Sequence, residues 1–400
     1  MIQPSNAEVL EFLCLSTTGW DEVWGSRQHI MQRLVKAGHK VLFVERQIGP
    51  EHILSHPEYR TRGMTFQAIK PPIQVQENLW RWQPPLMIPG RYYSHILNRI
   101  GQNRLAGQIK AILMQLNFDS PVLWLYPPQS APMIGAFQER LAVYHCIERF
   151  AGEQLGLKRR VMIEQENQLL AAVDLVFVHS QGLKKLYELS TRHPILVIPS
   201  AADVTHFQSD TRIHPAMEDI PRPRLVAMGV LDSRIDFELL RNIMVMQPDW
   251  HLVLIGKLKK RSPQSDALMH LPNVHVLGHQ PYDALPSLVN GADVTLIPYR
   301  LTEMTRYINP LKAYEYLAAG KPTVSVELPE LIPLSGWLTL IQPHGHISQE
   351  YARHFIAGIK AALDTDTVQR TAERREFAHS HSWDLRVEHI MEAIWRQIPA

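Results

Sequence analysis

Residues 9–16, VLEFLCLS, form an almost unbroken apolar run of strand length, the pattern of a strand whose sheet is covered on both faces. A polar loop, TTGWDEVWG (17–25), follows it. Ser26 can cap a helix running to about Ala37, Gly38 stops that helix, and KVLFVE (40–45) is the next apolar strand. Strand, helix and strand in this order make a βαβ unit. Similar alternation continues through PVLWLYPP (121–128), LAVYHCIERF (141–150), a helix ending near LLAAV, DLVFVHS (174–180), a helix over QGLKKLYELS, and PILVIPS (194–200).

The pattern then restarts. RLVAMGV (224–230) reads as a strand, and RIDFELLRNIMVM (234–246) as a helix with Ile235, Leu239, Ile243 and Met246 on one face. WHLVLIG (250–256), VHVLG, a short helix around YDALPSLVNGA, DVTLIPY (293–299) and PTVSVE continue it. The expectation is an α/β protein of two doubly wound domains, 1–207 and 224–381, with the polar, proline-containing stretch 208–223 as linker. SWDLRVEHIMEAIWRQI (382–398) reads as a closing amphipathic helix. No short-period repeat and no low-complexity segment interrupts this order.

Composition narrows the class. A chain of 400 residues exceeds one typical core, and 45% hydrophobic with 20% charged residues describes a globular protein. A net charge of +2 argues against a nucleic-acid binder. Cys14 and Cys146 each lie inside apolar runs, which predicts buried thiols in a reducing compartment. No apolar run approaches the ~20 residues needed to cross a bilayer, and the first residues lack the pattern of a signal peptide, so a cytoplasmic location is expected. The charge is uneven, however. From position 60 to 118 there are eight bases, Arg60, Arg62, Lys70, Arg81, Arg91, Arg99, Arg104 and Lys110, against Glu77 alone, with Trp80, Trp82, Tyr92 and Tyr93 between them. This segment suits peripheral contact with an anionic membrane or an anionic lipid-linked substrate; a solvated basic face with some rings packed inward is the plainer reading.

Several chemistries are missing. No Gly-x-Gly pair, P-loop, Gly-x-Ser-x-Gly elbow or His-Glu-x-x-His pair occurs. The DTD at 364–366 follows AGIKAAL, where it reads as a helix end, and no metal is predicted. What remains is RYINPLKAYEYLAAGKP (306–322). Asn309 can cap a helix, Pro310 suits its first position, Gly320 its left-handed stop, and Pro322 forbids continuation. The preceding loop, TEMTRYI, follows a strand and so lies at a carboxyl end, facing the cleft expected between two such domains. Free N–H groups at the helix start attract an anion, Lys312 adds a full charge, and a diphosphate fits. Glu315 can accept two hydrogen bonds from vicinal hydroxyls such as a ribose diol; the alternative is an i,i+3 surface ion pair.

The segment NPLKAYEYLAAGKPTVSVELPE resembles the donor site of GT-B-fold, GT4-like (group 1) glycosyltransferases, in which the glutamate matching Glu315 binds the nucleotide ribose. Residues 13–45, AVYHCIERFAG (142–152), AAVDLVFVHSQGL (171–183), VIPSAADVTHF (197–207), MGVLDSRIDFELL (228–240) and SWDLRVEHI resemble further segments, covering most of the chain outside 47–119. The resemblance implies two Rossmann-like domains facing across a cleft, with residues 382–400 packing back on the N-terminal one. It implies a nucleoside-diphosphate (NDP) sugar as co-substrate held by the C-terminal domain, with no other cofactor. A glycan or lipid-linked acceptor would be held by the N-terminal domain, the anomeric configuration would be retained, and no metal would be obligatory.

Lys312 and Arg234 are then the cations for the leaving phosphate, and His145 and Glu148 the groups facing the reacting sugar. For these last two, ordinary polar packing stays open as an alternative. Gly19, Arg306, Tyr307 and Asn309 join Glu315 on the donor side, and Trp20, Trp24 and Arg27 lie on the acceptor side. The chain departs from the family's Glu-x7-Glu pattern, having Tyr307 at the first glutamate. It also lacks the arginine after Gly229, and has Ala-Ala before Asp203 where asparagine-glycine is usual. A nucleotide-sugar 2-epimerase and a catalytically silent nucleotide-sugar-binding partner remain as other readings.

Overall fold

A computed structural model of the chain describes residues 8–55, 70–210, 212–343 and 349–398. Arg60 and Arg62 of the basic segment lie outside the described residues. The chain divides into two compact units, Met1–Ile198 with Val387–Ala400, and Pro199–Arg386.

The first unit holds β1 (Glu11–Leu15), β2 (Lys40–Val44), β3 (Ile73–Gln76), β4 (Leu79–Trp82), β5 (Val122–Leu125), β6 (Leu141–Cys146), β7 (Leu175–Val178) and β8 (Ile195–Val197). They lie in the order β3-β4-β2-β1-β5-β6-β7-β8, parallel except for the β3–β4 pair. The second holds β9 (Arg224–Met228), β10 (His251–Ile255), β11 (Val274–Gly278), β12 (Val294–Ile297), β13 (Thr323–Val326) and β14 (Thr339–Ile341), all parallel, in the order β11-β10-β9-β12-β13-β14. In each sheet the chain starts in the middle, winds outward one way, then returns and winds out the other. The reversals fall between β1 and β5 and between β9 and β12, and at such points open α/β sheets bind ligands beyond the strand carboxyl ends.

The apolar runs explain the strands. Every residue of β5, β6, β7, β9, β12 and β13 is buried, as a parallel sheet covered on both faces requires. Cys14 and Cys146 are buried free thiols; burial pushes both up, Cys146 to about 12, so neither is a ready thiolate.

Two local readings change. The stretch 208–223 belongs to the second unit, because Met217 and Ile220 are buried in its core despite the polar residues around them. The helix after β9 begins at Phe237, where the Asp236 carboxylate accepts the Leu239 N–H at 2.9 Å, so Arg234 and Ile235 stay in the loop before it. Asp364 ends the helix Gln349–Asp364 and Asp366 pairs with Arg374 at 2.7 Å. Among the described residues no group of three metal-ligating side chains converges, and no helix is long and apolar enough to cross a membrane.

Candidate active site

In the second unit, the loops after β9 and β12 flank the reversal of the sheet. β9 leads into Gly229, and β10 into Gly256. A Cβ on Gly256 would lie 1.7 Å from the Gly229 carbonyl oxygen, and φ there is +145°, so this turn admits only glycine. The tight approach leaves Gly229 beside Lys312, whose Cε is 3.4 Å from where a Cβ would be.

Lys312 belongs to the helix Leu311–Ala318, which Pro310 opens without any side-chain cap. The Ala313 N–H donates to the Pro310 carbonyl at 3.1 Å, and the Leu311 and Lys312 N–H groups keep their capacity for an anion. Lys312 Nζ donates to Glu315 Oε2 at 2.7 Å, and Glu315 is wholly buried. The i,i+3 pair is real, yet it is a buried pair and not a surface one. Glu315 Oε1 has no hydrogen-bond partner among the described residues. Burial raises the carboxyl above its ordinary value, while Lys312 pulls it back down. A buried carboxylate with one satisfied and one unsatisfied oxygen is an acceptor in want of a donor.

Asn309 does not cap this helix. Its Oδ1 accepts the Ser200 N–H at 2.9 Å and its backbone carbonyl accepts the Ser200 hydroxyl at 2.8 Å, both buried. Asn309 thus fixes the lead into the helix, and its side-chain oxygen is already engaged. Arg306 and Tyr307 lie in a short 3-10 turn, Thr305–Tyr307, with Arg306 exposed and Tyr307 half-buried. Arg234 donates through two guanidinium nitrogens to Asp232, at 2.8 and 2.7 Å. Its backbone carbonyl accepts the Arg300 N–H at 2.7 Å, which ties the loops after β9 and β12 together. Arg234 is therefore an oriented cation with a carboxylate already on it.

In the first unit, the other predicted residues follow β1, β5 and β6. Gly19 and Trp20 are buried in a loop tied down by its neighbours: Gln28 Nε2 donates to the Gly19 carbonyl at 3.1 Å, and the Trp20 N–H donates to Glu45 at 3.1 Å. The Trp20 ring packs edge-on to Phe43 at 5.1 Å and Trp24 at 5.4 Å. The Trp20 indole is buried and packs between the loop and β2. Trp24 is half-buried and donates to His29 at 3.3 Å.

Arg27, in the first turn of the helix Ser26–Lys36, lays its guanidinium over the Tyr126 ring at 5.2 Å. Burial lowers its pKa, opposed by the Glu148 carboxylate. His145, near the end of β6, is wholly buried among Tyr126, His179, Trp124 and Phe177, with ring centroids 5.1, 5.0, 5.6 and 5.7 Å away. Neither of its ring nitrogens has a hydrogen-bond partner among the described residues. Burial first, then His179 and Arg27, hold it well below its usual range, so it is a neutral imidazole. Glu148 is half-exposed in the loop beyond.

Sequence reasoning missed what holds that loop. Glu166, from the helix Gly156–Ala172, is buried and accepts from Tyr144 (2.7 Å), Tyr187 (2.8 Å) and Arg149 (2.9 Å), while Cys146 Sγ donates to the Glu148 carbonyl at 3.2 Å. The partners of Glu166 lie 17 to 22 residues from it in sequence, and no local spacing announces them. Ser200 was missed for the same reason, whereas the Asp232–Arg234 pair is an i,i+2 signal visible in DSR.

The family described as Glycosyl transferases group 1 matches residues 222–359. TuaH of Bacillus subtilis (strain 168), whose name assigns it provisionally to glycosyl transfer in teichuronic acid biosynthesis, is 22% identical over 364 residues, covering 84% of this chain and 86% of TuaH. Among solved structures, a sucrose-phosphate synthase from Thermosynechococcus elongatus superposes with a TM-score of 0.70 at 15% identity, covering 97% of this chain and 98% of the synthase. A trehalose-6-phosphate structure from E. coli bound with UDP-2-fluoro glucose gives 0.66 at 13% identity, over 96% and 98%. At these identities the structural likeness speaks for the fold.

Proposed function

We propose that the chain is a glycosyltransferase of group 1 type on the GT-B fold, moving a sugar from an NDP-sugar to a glycan, glycolipid or polysaccharide-precursor acceptor. The observation that carries the donor assignment is Glu315, a buried carboxylate with an unpartnered oxygen, one helical turn beyond Lys312 on a helix whose start is uncapped. In this reading the ribose diol donates to Glu315, and the diphosphate sits on the first N–H groups of Leu311–Ala318 beside Lys312. Gly229 gives the diphosphate room, at a φ of +131° that residues with a Cβ rarely adopt.

The bond between the anomeric carbon and the β-phosphate oxygen breaks, and its electron pair leaves with the phosphate. Lys312 and the helix N–H groups stabilise that charge as it develops, with Arg234 oriented nearby in sequence by Asp232. The acceptor hydroxyl bonds to the anomeric carbon, its proton passes to the leaving phosphate, and the configuration is retained. These cations supply the role a resident metal would have, so the reaction proceeds without one. Neutral His145 and half-exposed Glu148 belong to the sugar side. The enzyme works in the cytoplasm, at the inner face of the membrane when its acceptor is lipid-linked.

A panel of NDP-sugars tests this. Sugar transfer, or slow donor hydrolysis with release of NDP, supports it; sugar interconversion favours a 2-epimerase. Tyr307 in place of a glutamate favours a silent binding partner, for which saturable binding without turnover is expected.

A further inference from the structure

The helix His95–Gln115 is 21 residues long and contains no aspartate or glutamate. Its inner face buries Leu105, Ile109, Ile112 and Leu113. The opposite face would ordinarily be polar, yet it shows Ile96, Ile100 and Met114 to solvent, 64%, 51% and 78% exposed. Exposed Arg99 and Lys110 border that apolar ridge. A second patch of the same kind opens the helix Gly156–Ala172. Leu155 and Leu157 are 85% and 49% exposed, and Lys158, Arg159 and Arg160 follow directly.

The two helix starts are neighbours within the first unit. His95 Nε2 lies 2.8 Å from Glu164 Oε2, Gln165 donates to the Arg91 carbonyl at 3.0 Å, and Lys158 Nζ stands 5.3 Å from the centre of the Tyr92 ring. Of the acids flanking this patch, Glu153 is exposed two residues before Leu155, and Glu164 is engaged by His95 and by Arg160.

We propose that this face, made by the outer ridge of His95–Gln115 and the first turn of Gly156–Ala172, docks on an anionic lipid bilayer. Large apolar side chains held in water gain by entering the headgroup and acyl boundary, and flanking bases gain by meeting anionic headgroups. A second copy of the chain is a poor occupant, because a two-fold contact would set one basic face, carrying Arg99, Lys110, Lys158 and Arg160, against another. The inference deepens the reading of a lipid-linked acceptor, and it adds residues 155–160 to the basic segment seen in the sequence.

The test is co-sedimentation of the full chain with vesicles of phosphatidylcholine, alone or mixed with phosphatidylglycerol. Binding is expected only to the mixed vesicles and weaker in high salt. Ile96→Glu with Ile100→Glu, and separately Leu155→Ser with Leu157→Ser, should each weaken it about tenfold or more, with unfolding midpoint and nucleotide affinity unchanged because these side chains are exposed. Parent protein that fails to sediment with the mixed vesicles at low salt, or variants that sediment as the parent does, would overturn the proposal. So would a concentration-dependent dimer in the ultracentrifuge that the variants abolish. Hydrolysis of a soluble NDP-sugar needs no bilayer, so parent protein that hydrolyses the donor yet does not bind the mixed vesicles rejects the docking face alone.

Discussion

Replacing Glu315 by glutamine exchanges one carboxylate oxygen for an amide nitrogen at nearly constant volume. The carboxylate has one oxygen on Lys312 at 2.7 Å and one without a partner, so two ribose hydroxyls can be served, one by Oε1 and one shared with Lys312 at Oε2. Hydrogen bonds to an ionised acceptor contribute roughly 1.5–3 kcal/mol against about 0.5–1.5 for neutral ones. For two bonds the loss is about 2–3 kcal/mol, or roughly 30- to 150-fold in Kd.

The assay is calorimetric titration with UDP, GDP and ADP and with their 2′-deoxy counterparts. Wild type should bind the deoxy forms more weakly, while Glu315→Gln should barely distinguish them, which isolates the ribose contact. pH offers an independent check. Burial holds the Glu315 carboxyl above the ordinary carboxylate range. As pH falls through that raised value wild type takes up a proton, and its affinity should drop toward that of the variant, whose profile stays flat. Stability has the opposite sign. The folded state holds this proton more tightly than the unfolded chain, so the contribution is complete below the ordinary value and is lost as pH rises through the raised one. Equal affinities of wild type and variant for all three nucleotides, or an equal 2′-deoxy penalty in both, would refute the ribose assignment.

Lys312→Ala should lower kcat more than it raises KM, since its charge is needed most when the phosphate departs; an unchanged kcat removes that role. Gly256→Ala forces a Cβ to 1.7 Å from the Gly229 oxygen at φ +145°, and urea unfolding should show a loss of roughly 3 kcal/mol or more; wild-type stability would contradict the geometry. Asn309→Ala leaves the buried Ser200 N–H without its acceptor, which should cost about 1–3 kcal/mol in the same measurement. His145→Phe keeps the aromatic packing and removes two unpartnered nitrogens, so the midpoint should hold within about 1 kcal/mol while turnover falls; full turnover would make His145 packing alone.

The doubly wound architecture was legible because parallel strands buried on both faces must be continuous apolar runs, and VLWL, LVFV and VTLI are such runs. The hairpin of β3 and β4 was hidden by its composition. IQVQ has every residue exposed and LWRW carries an arginine, so the stretch read as a basic surface although Trp82 is buried and donates to the Lys70 carbonyl at 2.8 Å. The linker reading failed because Met217 and Ile220 are two apolar residues in a polar stretch, too few for a periodicity. At the site, the i,i+3 spacing showed Lys312 and Glu315 as a pair. Only depth distinguishes a solvated ion pair from a buried carboxylate with an oxygen to spare, and depth is set by strands far away in sequence. The engagement of Asn309 by Ser200, 109 residues away, likewise follows from the fold, whereas that of Arg234 by Asp232 was written in the i,i+2 spacing.

The first unit includes residues 387–400, among which Ile390 and Ile394 are wholly buried, whereas the second is the uninterrupted stretch 199–386. Synthesis on the ribosome thus meets the two halves unequally. The second can close as soon as its own residues emerge, while the first waits for a helix made after all of them. A nascent chain halted before Val387 carries a finished second unit and an unfinished first one whose apolar surface still lacks Ile390 and Ile394. Holdase chaperones and proteases recognise such surface, so the first unit's acceptance by the cell waits on that one helix.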